Sequence, residues 1–395
     1  MRNPFAVATL AVVLATGLAG CGGGGGTSTV DTSNAPAPLP VGAGPQPTPP
    51  TSTTTVEPAA LAWTQPAGLP ASAWHWTASN PSGSVMVATA IPGGVYLSRD
   101  QGATWQAQAA LPQGATIWIS ADLSDDGQVI VAVALNGGMY RSTDGGANWS
   151  RIDTAFNASE NLDYESVSVS ADGQRIVAAI MGGSIYASSD GTAATPTFTP
   201  ATLADGSALS SFWRALDSDA SGMHVVAASH NGDVWTSDDG GATFAPLPVS
   251  VAGTAVTDGW YRLALSRDGN TLALVGSEEF GIGQPVGSRS TGLYVGRRSA
   301  GGWSFARAST VSGAYTRVTI AANAPVIAAT LSGTGGGALI STDDGATFAT
   351  LPVPSTDTMW RSIALTGDGM HALLAAGTFF GDPGHLYLSS GTLAR

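Results

Sequence analysis

The carboxylates best suited to acid–base chemistry are Glu278 and Glu279, which are adjacent in a chain with only five Glu. Hydrolysis of a glycoside uses two carboxyl groups as acid and base or nucleophile, although adjacent residues in a loop tend to point apart. The five His show no HExxH spacing, and no Ser lies in a nucleophile elbow. Asp217 and Asp219 have the spacing of the first ligands of a calcium-binding loop. The twelfth position of that loop, which must supply a carboxylate ligand, is Ala228, so the sequence does not predict a calcium site there. The sequence therefore predicts no metal and no cofactor, and Glu278 and Glu279 remain weak catalytic candidates.

Cys21 is the only Cys of the chain, and its surroundings indicate lipidation. Arg2 precedes an uncharged stretch, residues 5–18, that is too short to span a bilayer as a helix. The small residues before Cys21 resemble the lipobox of bacterial lipoproteins; the alternative is an ordinary signal peptide that contains a Cys. The resemblance implies cleavage of residues 1–20 and a membrane anchor of acyl chains on Cys21. Gly22 after the Cys implies the outer membrane, with a periplasmic or surface-facing domain.

Composition narrows the class of protein further. All 15 basic residues are Arg, and 28 acidic residues give a formal net charge of −13, which argues against nucleic acid as a partner. The membrane is then contacted through the lipid anchor only. Residues 21–60 are mostly Gly, Ser, Thr, Pro and Ala and cannot bury enough apolar surface to fold. We expect the lipidated Cys and a disordered tether over 21–60, followed by a folded domain.

After residue 60 the sequence repeats every 44 to 55 residues. Each copy runs from an aromatic residue through an apolar strand, an Asp-Gly turn, a second strand, a Gly-rich turn and a third strand to a second Asp-Gly turn. Four short strands per unit of this length are typical of a propeller blade. The opening aromatics are Trp74, Trp118, Tyr164, Trp213, Trp260, Tyr315 and Trp360. The sequence predicts an all-β, seven-bladed β-propeller over residues 61–395.

The second turn carries a more specific motif, S-x-D-x-G-x-T-W, first seen at 98–105. It recurs in three further copies, so that its Asp falls at Asp100, Asp144, Asp239 and Asp343. The motif resembles the Asp-box, or BNR repeat, of sialidases, sortilin-type receptors and the photosystem II assembly-factor family. The resemblance covers residues 61–395 and implies a propeller in which these Asp are structural. The third, fifth and seventh copies are degenerate.

The seventh copy ends before its fourth strand, and the missing piece lies at the start of the domain. Residues 61–70, LAWTQPAGLP, match residues 103–112, ATWQAQAALP, in the spacing of Trp and Pro. We therefore expect the strand around Trp63 to complete blade seven and close the ring, which removes exposed strand edges.

The start of each innermost strand lies on one face of the propeller, and the Asp-box turns lie on the other. This first face, here the top face, receives the opening aromatics and the insertion after Gly276. Two readings stay open for the aromatics: packing between blades, or a platform that binds a sugar or a peptide. The predicted ligand-binding residues are Trp74, Trp118, Tyr164, Trp213, Trp260, Tyr315, Trp360, Arg214, Arg361 and Phe280.

These observations predict a monomeric cell-envelope lipoprotein whose propeller binds a protein or a glycan without catalysis. The rival is a glycoside hydrolase or lectin that resembles sialidases. That resemblance implies an Arg trio, a Tyr–Glu nucleophile pair and an Asp acid/base, but the early FRIP-like motif is absent and Arg near blade starts can serve interblade packing. Converging Arg with a Tyr–Glu pair in a deep pocket would favour the hydrolase.

Overall fold

The structure is a computed structural model that describes residues 61–113, 116–159, 161–256, 259–276, 292–333, 336–377, 383–391 and 393. Its regular elements are all β-strands, and the described residues contain no helix. It follows that none of these residues forms a helix long and apolar enough to cross a membrane.

The strands follow one another along the chain in short, closely spaced segments. The first half contains β1 (Ala62–Thr64), β2 (Ala73–Ser79), β3 (Met86–Ile91), β4 (Val95–Ser98), β5 (Gln106–Ala107), β6 (Ile117–Leu123), β7 (Ile130–Leu135), β8 (Met139–Ser142), β9 (Ser150–Arg151), β10 (Tyr164–Val169), β11 (Ile176–Gly183), β12 (Ile185–Ser188), β13 (Thr199–Pro200) and β14 (Thr202–Leu203). The second half contains β15 (Ser211–Ser218), β16 (Val225–Ser229), β17 (Val234–Ser237), β18 (Thr243–Pro246), β19 (Ser250–Val251), β20 (Thr254–Ala255), β21 (Trp260–Leu265), β22 (Thr271–Gly276), β23 (Leu293–Ser299), β24 (Gly302–Ser309), β25 (Ala314–Ile320), β26 (Ile327–Ser332), β27 (Gly337–Ser341), β28 (Ala349–Leu351), β29 (Trp360–Leu365), β30 (Ala372–Ala376) and β31 (Leu386–Ser390).

Within the described residues, antiparallel pairing groups 28 of these 31 strands into seven blades of four, while β14 pairs in parallel with β18 and β19 pairs with β20. Blades 1 to 6 are β2–β5, β6–β9, β10–β13, β15–β18, β21–β24 and β25–β28, and blade 7 is β29–β31 with β1. Each innermost strand contacts the innermost strand of the next blade, and β29 contacts β2. The ring is therefore closed, and the predicted β-propeller is confirmed.

Blade 7 is completed by the N-terminal strand, as the sequence predicts. In β1, Ala62 pairs with Ser390 and Thr64 pairs with Leu388. Trp63 Nε1 donates a hydrogen bond to the carbonyl oxygen of Pro352 at 2.8 Å, and its half-buried ring packs against the core of the last two blades. Strand pairing and one aromatic side chain together close the ring.

The opening aromatics pack in the core between neighbouring blades. All seven are 0–1% exposed, and Trp118, for example, packs with Val87 and Leu97 of the preceding blade. A β-bulge follows the aromatic in each of the seven innermost strands. Because a bulge inserts one unpaired residue, it re-aims the side chains beside it. The residues after each aromatic therefore turn toward the axis of the ring.

The Asp-box turns satisfy their own polar groups. In blade 2, Asp144 accepts hydrogen bonds from the backbone N–H of Asn148 at 2.8 Å and from the Asn148 side chain at 2.7 Å. Ser142 Oγ donates to Asp144 and accepts from Gly146 N–H, which has a positive φ of 88° that favours Gly. The degenerate third copy keeps this geometry, since Asp190 accepts from Thr197 N–H across its insertion.

Candidate functional site

The axis of the ring contains two adjacent cavities. The lower one, of about 160 Å³, is lined by residues from all seven blades, which places it on the axis. The upper one, of about 80 Å³, shares Asp122, Asp217 and Arg317 with it. Together they form an axial channel whose wall is made by the innermost strands. The face that carries the Asp-box turns and the turns between first and second strands is called the bottom face here.

Trp76, Arg262 and Arg317 line the upper cavity and belong to a column of alternating guanidinium groups and aromatic rings. The Arg214 guanidinium lies 5.0 Å from the centre of the Tyr261 ring, and the Arg262 guanidinium lies 4.4 Å from it. Trp76 follows, with Arg262 at 5.5 Å and Arg317 at 3.5 Å from its ring centre. Cation–π attraction partly offsets the repulsion between these buried cations. The column comes from blades 1, 4, 5 and 6, so only the folded ring assembles it.

Glu165 provides the negative charge at the upper end of this column. Its carboxylate accepts a hydrogen bond from Arg214 Nη1 at 2.9 Å and lies 4.0 Å from Arg262 Nη1. Glu165 is only 3% exposed, and burial raises its pKa against the opposing effect of the two Arg. A buried carboxylate held by two guanidinium groups fixes their positions.

His75, Tyr261 and Arg361 belong to the same cluster, with exposures of 4–5%. Burial and the nearby positive charges of Arg361 and Arg262 lower the pKa of His75 well below its ordinary value, so the imidazole is neutral at pH 7. Burial alone would raise the pKa of Tyr261, but the charges of Arg262, Arg361 and Arg214 outweigh it and lower the pKa. The cluster therefore favours negative charge.

The lower part of the channel carries acidic groups instead. Asp122 accepts a hydrogen bond from Val169 N–H at 2.7 Å, and Asp217 accepts one from Leu265 N–H at 2.9 Å. Each carboxyl group thus ties its blade to the next one. Enclosure in the channel, reinforced by Asp217, raises the pKa of Asp122 to about 7. Burial and the neighbouring charge of Arg262 lower the pKa of Arg317 to about 9.

This arrangement can hold an anion rather than a cation at its upper end. Guanidinium groups recognise carboxylates through paired hydrogen bonds, and low solvent exposure strengthens that attraction. Among the described residues, no three His, Cys, Asp or Glu side chains come together as a metal site. The chemistry supported by these side chains is therefore the recognition of a carboxylate.

The structure divides the residues predicted to bind a ligand into three groups. Arg214 and Arg361 lie in the channel cluster, together with Arg262 and Arg317, and these Arg also contact neighbouring blades. The seven opening aromatics are buried between blades, which corrects their use as an exposed platform: interblade packing leaves them no surface for a ligand. Phe280, Glu278, Glu279 and Cys21 lie outside the described residues.

Sequence reasoning missed Glu165, Asp122, Asp217 and the ring of Trp76 as members of the site. For Glu165 a signal was present, because the residue that follows the opening aromatic varies between copies and is His, Glu, Arg, Tyr or Thr in six of the seven. Asp122 and Asp217 lie four residues after their aromatics, outside that position. The four Asp of the Asp-boxes lie on the bottom face, where each is held by its own turn.

A sequence profile described as BNR/Asp-box repeat matches residues 140–151, which include the blade 2 turn. No curated protein matches the chain at a significant level.

Solved structures resemble this chain in fold. YCF48 bound to D1 peptide superposes with a TM-score of 0.57 and 14% identity, covering 84% of this chain and 95% of that one. YCF48 from Cyanidioschyzon merolae gives 0.58 and 16%, covering 84% and 98%. The GH74 enzyme from Niastella koreensis gives 0.60 and 16%, and covers 79% of this chain but 52% of its own. At these identities the similarity supports the β-propeller fold.

Proposed function

We propose that this protein is a cell-envelope lipoprotein whose propeller binds a protein partner without catalysis, through a carboxylate that enters the upper channel. The observation that carries the proposal is the cluster of Arg214, Arg262 and Arg361 around one buried carboxylate and Tyr261. The anchor is Cys21, and the outer membrane is the proposed location.

Charge and packing support recognition of a carboxylate. The Arg side chains are positioned by aromatic rings and by backbone carbonyls, as when Arg262 Nη1 donates to the Arg214 carbonyl oxygen at 2.6 Å. Pre-positioned donors lose little entropy on binding, so more of the interaction energy appears as affinity. The YCF48 structure with a bound peptide supports the choice of a protein partner over a glycan.

The experiment compares short peptides that end in a free carboxylate with their C-terminal amides, titrated against the full-length protein in detergent. Isothermal titration calorimetry at low salt should show binding of the carboxylate form and at least roughly tenfold weaker binding of the amide, since an ionic hydrogen bond contributes about 1.5–3 kcal/mol. Arg214→Gln and Arg361→Gln should weaken binding of the carboxylate form only.

Asp144→Ala on the bottom face is the matched control and should leave peptide affinity unchanged. Equal affinity for the acid and amide peptides, or equal loss in Asp144→Ala, would refute the proposed site. Binding of sialyl-oligosaccharides, without binding of the peptides, would show that the ligand of this site is a glycan and not a protein.

A sialidase-like hydrolase is the second candidate, because the structure brings Arg214, Arg262 and Arg361 together with Tyr261 and Glu165. One feature disfavours it: Glu165 accepts a hydrogen bond from Arg214 at 2.9 Å, whereas a Tyr–Glu nucleophile pair needs that carboxylate to take the proton of Tyr261. A fluorogenic sialoside tests the activity directly. Turnover that is abolished by Tyr261→Phe would establish the hydrolase and overturn the binding module.

The lipid anchor has its own test. Metabolic labelling with a fatty-acid analogue should mark the wild-type protein and leave the Cys21→Ser variant unlabelled, because the chain has no other Cys. Label retained by the variant would refute lipidation at this residue.

A further inference from the structure

A salt bridge crosses the bottom mouth of the axial channel. Asp125 lies in the first turn of blade 2, and Arg267 lies in the same turn of blade 5. Arg267 Nη1 donates to Asp125 Oδ1 at 2.6 Å, and Arg267 Nη2 donates to the second carboxylate oxygen. Blades 2 and 5 are three positions apart in a ring of seven, which is the largest separation possible. The pair therefore spans the opening instead of joining neighbours.

The backbone holds both residues in place. Asp125 N–H donates to the carbonyl oxygen of Ala171, Ala171 N–H to that of Ala220, and Ala220 N–H to that of Arg267, each at 2.9 Å. These bonds link the turns of blades 2, 3, 4 and 5 into an arc around the mouth. The salt bridge connects the two ends of this arc across the channel.

The arc does not continue to blade 6. Within the described residues, no backbone bond joins the turn at Arg267 to the corresponding turn at Ala322, and a cavity of about 410 Å³ lies between these turns. The bond series resumes beyond it, with Asn323 N–H donating to Gly367 and Gly367 N–H donating to Pro81. The turn that carries Arg267 is thus fastened on one side by hydrogen bonds and across the mouth by its side chain.

We propose that the Asp125–Arg267 pair is a latch that closes the bottom mouth of the channel, and that breaking it admits small solutes to the acidic cavity above. Both residues also line that cavity, together with Asp122, Asp217 and Arg317. The side chains of Arg267 and Asp125 are 30% and 39% exposed, so salt weakens their attraction and opens the latch. This inference is independent of what binds at the top face.

A single thiol in the lower channel tests the latch in the full-length protein. Ser218 lines the lower cavity and is not part of the upper cavity's wall, and Ser218→Cys in a Cys21→Ser background places the only reactive thiol there. An uncharged thiol reagent larger than water should react slowly with this protein at low salt. Adding Arg267→Gln or Asp125→Asn should raise the labelling rate roughly fivefold or more.

Arg297→Gln is the matched control. It removes the same charge and breaks the Arg297–Asp344 pair, which is also half-exposed but joins neighbouring blades 5 and 6. Its labelling rate should equal that of the parent protein. The charge-reversed double variant, Asp125→Arg with Arg267→Asp, should restore slow labelling.

The dependence of the labelling rate on salt concentration tests the latch without a substitution at Asp125 or Arg267. Raising the salt concentration should accelerate labelling of the parent protein and leave the already open Arg267→Gln protein unaffected. Equal labelling rates with the latch intact and broken, or acceleration by salt in both proteins, would overturn the proposal.

Discussion

The innermost strands of the seven blades have six to eight residues and are mostly buried, whereas the fourth strands of six blades have two to four residues and are largely exposed. The residue after the opening aromatic varies between the inner strands, and contacts such as Glu165 with Arg214 and Arg214 with Tyr261 join one blade to the next. The outer strands follow turns of nearly identical sequence whose polar groups are satisfied within five residues. A repeated residue here marks the scaffold, while a repeated position with varied residues marks the site.

Blade 5 sharpens this contrast because it lacks an Asp-box. Its third and fourth strands, β23 and β24, pair from Leu293–Ser309 out to Ser299–Gly302, and β24 has eight residues. In this blade the longer ladder holds the third and fourth strands together without an Asp-box turn.

The largest loss of stability is expected when β1, the outer strand that completes blade 7, is removed. A chain that begins at residue 71 lacks β1 and the contacts of Trp63, whose half-buried ring contributes about 1–2 kcal/mol, and it exposes the edge of β31. It should aggregate, whereas a chain that begins at residue 58 should remain monomeric. Light scattering and thermal melting would measure this, and equal melting of two monomeric proteins would contradict the closure.

The next largest loss of stability is expected for a substitution in the inner strands. Glu165→Ala leaves Arg214 and Arg262 buried without their carboxylate, a change that typically costs about 3–5 kcal/mol. The urea midpoint should fall accordingly, and Glu165→Gln, which keeps an acceptor oxygen, should lose less. A loss below about 1 kcal/mol in the Ala variant would show that the Arg cluster does not depend on Glu165.

The contributions of inner and outer carboxylates to the free energy of unfolding should change with pH in opposite directions. The pKa of Asp122 rises from 3.8 to about 7 on folding, so the folded protein retains a proton that the unfolded chain releases, and stability falls as pH rises from about 4 to 7. The pKa of Asp144 falls to about 2, chiefly through its bonds to Asn148, so its contribution is lost as pH falls from about 4 to 2.

Urea unfolding of Asp122→Asn and Asp144→Asn across pH 2–8 measures these effects. Relative to wild type, Asp122→Asn should become more stable as pH rises from 4 to 7. Asp144→Asn should be less stable than wild type at neutral pH, and this difference in stability should disappear below pH 4. Parallel pH profiles for both variants would refute the opposing environments of the two carboxylates.

The smallest effect is expected for Asp144→Ala, which removes one turn's acceptor at an exposed position. The loss should be about 1 kcal/mol, as for other local capping bonds, with no change in peptide affinity. Calorimetric melting measures the first quantity and titration the second; a fall in affinity would place function on the bottom face.

The fold could be predicted because the blade is a local unit: the Asp-Gly turns and the strand alternation lie within about 45 residues, and closure followed from the match between residues 61–70 and 103–112. The site could be predicted only in part. Arg214 and Arg361 follow their aromatics in the sequence, but which residues share the axis depends on contacts between blades, such as Arg317 on Trp76. Burial of the aromatics likewise depends on how tightly neighbouring blades pack.

The pairing of the first strand with the last also sets an order in time. Ala62 meets Ser390 only after 328 further residues have been synthesised, which takes tens of seconds at roughly 5–20 residues per second. During that interval β1 has no strand to pair with, and the growing blades have an open edge. The ring therefore closes last, and a chain cut short by even its final strand leaves that edge open to proteases and to other chains.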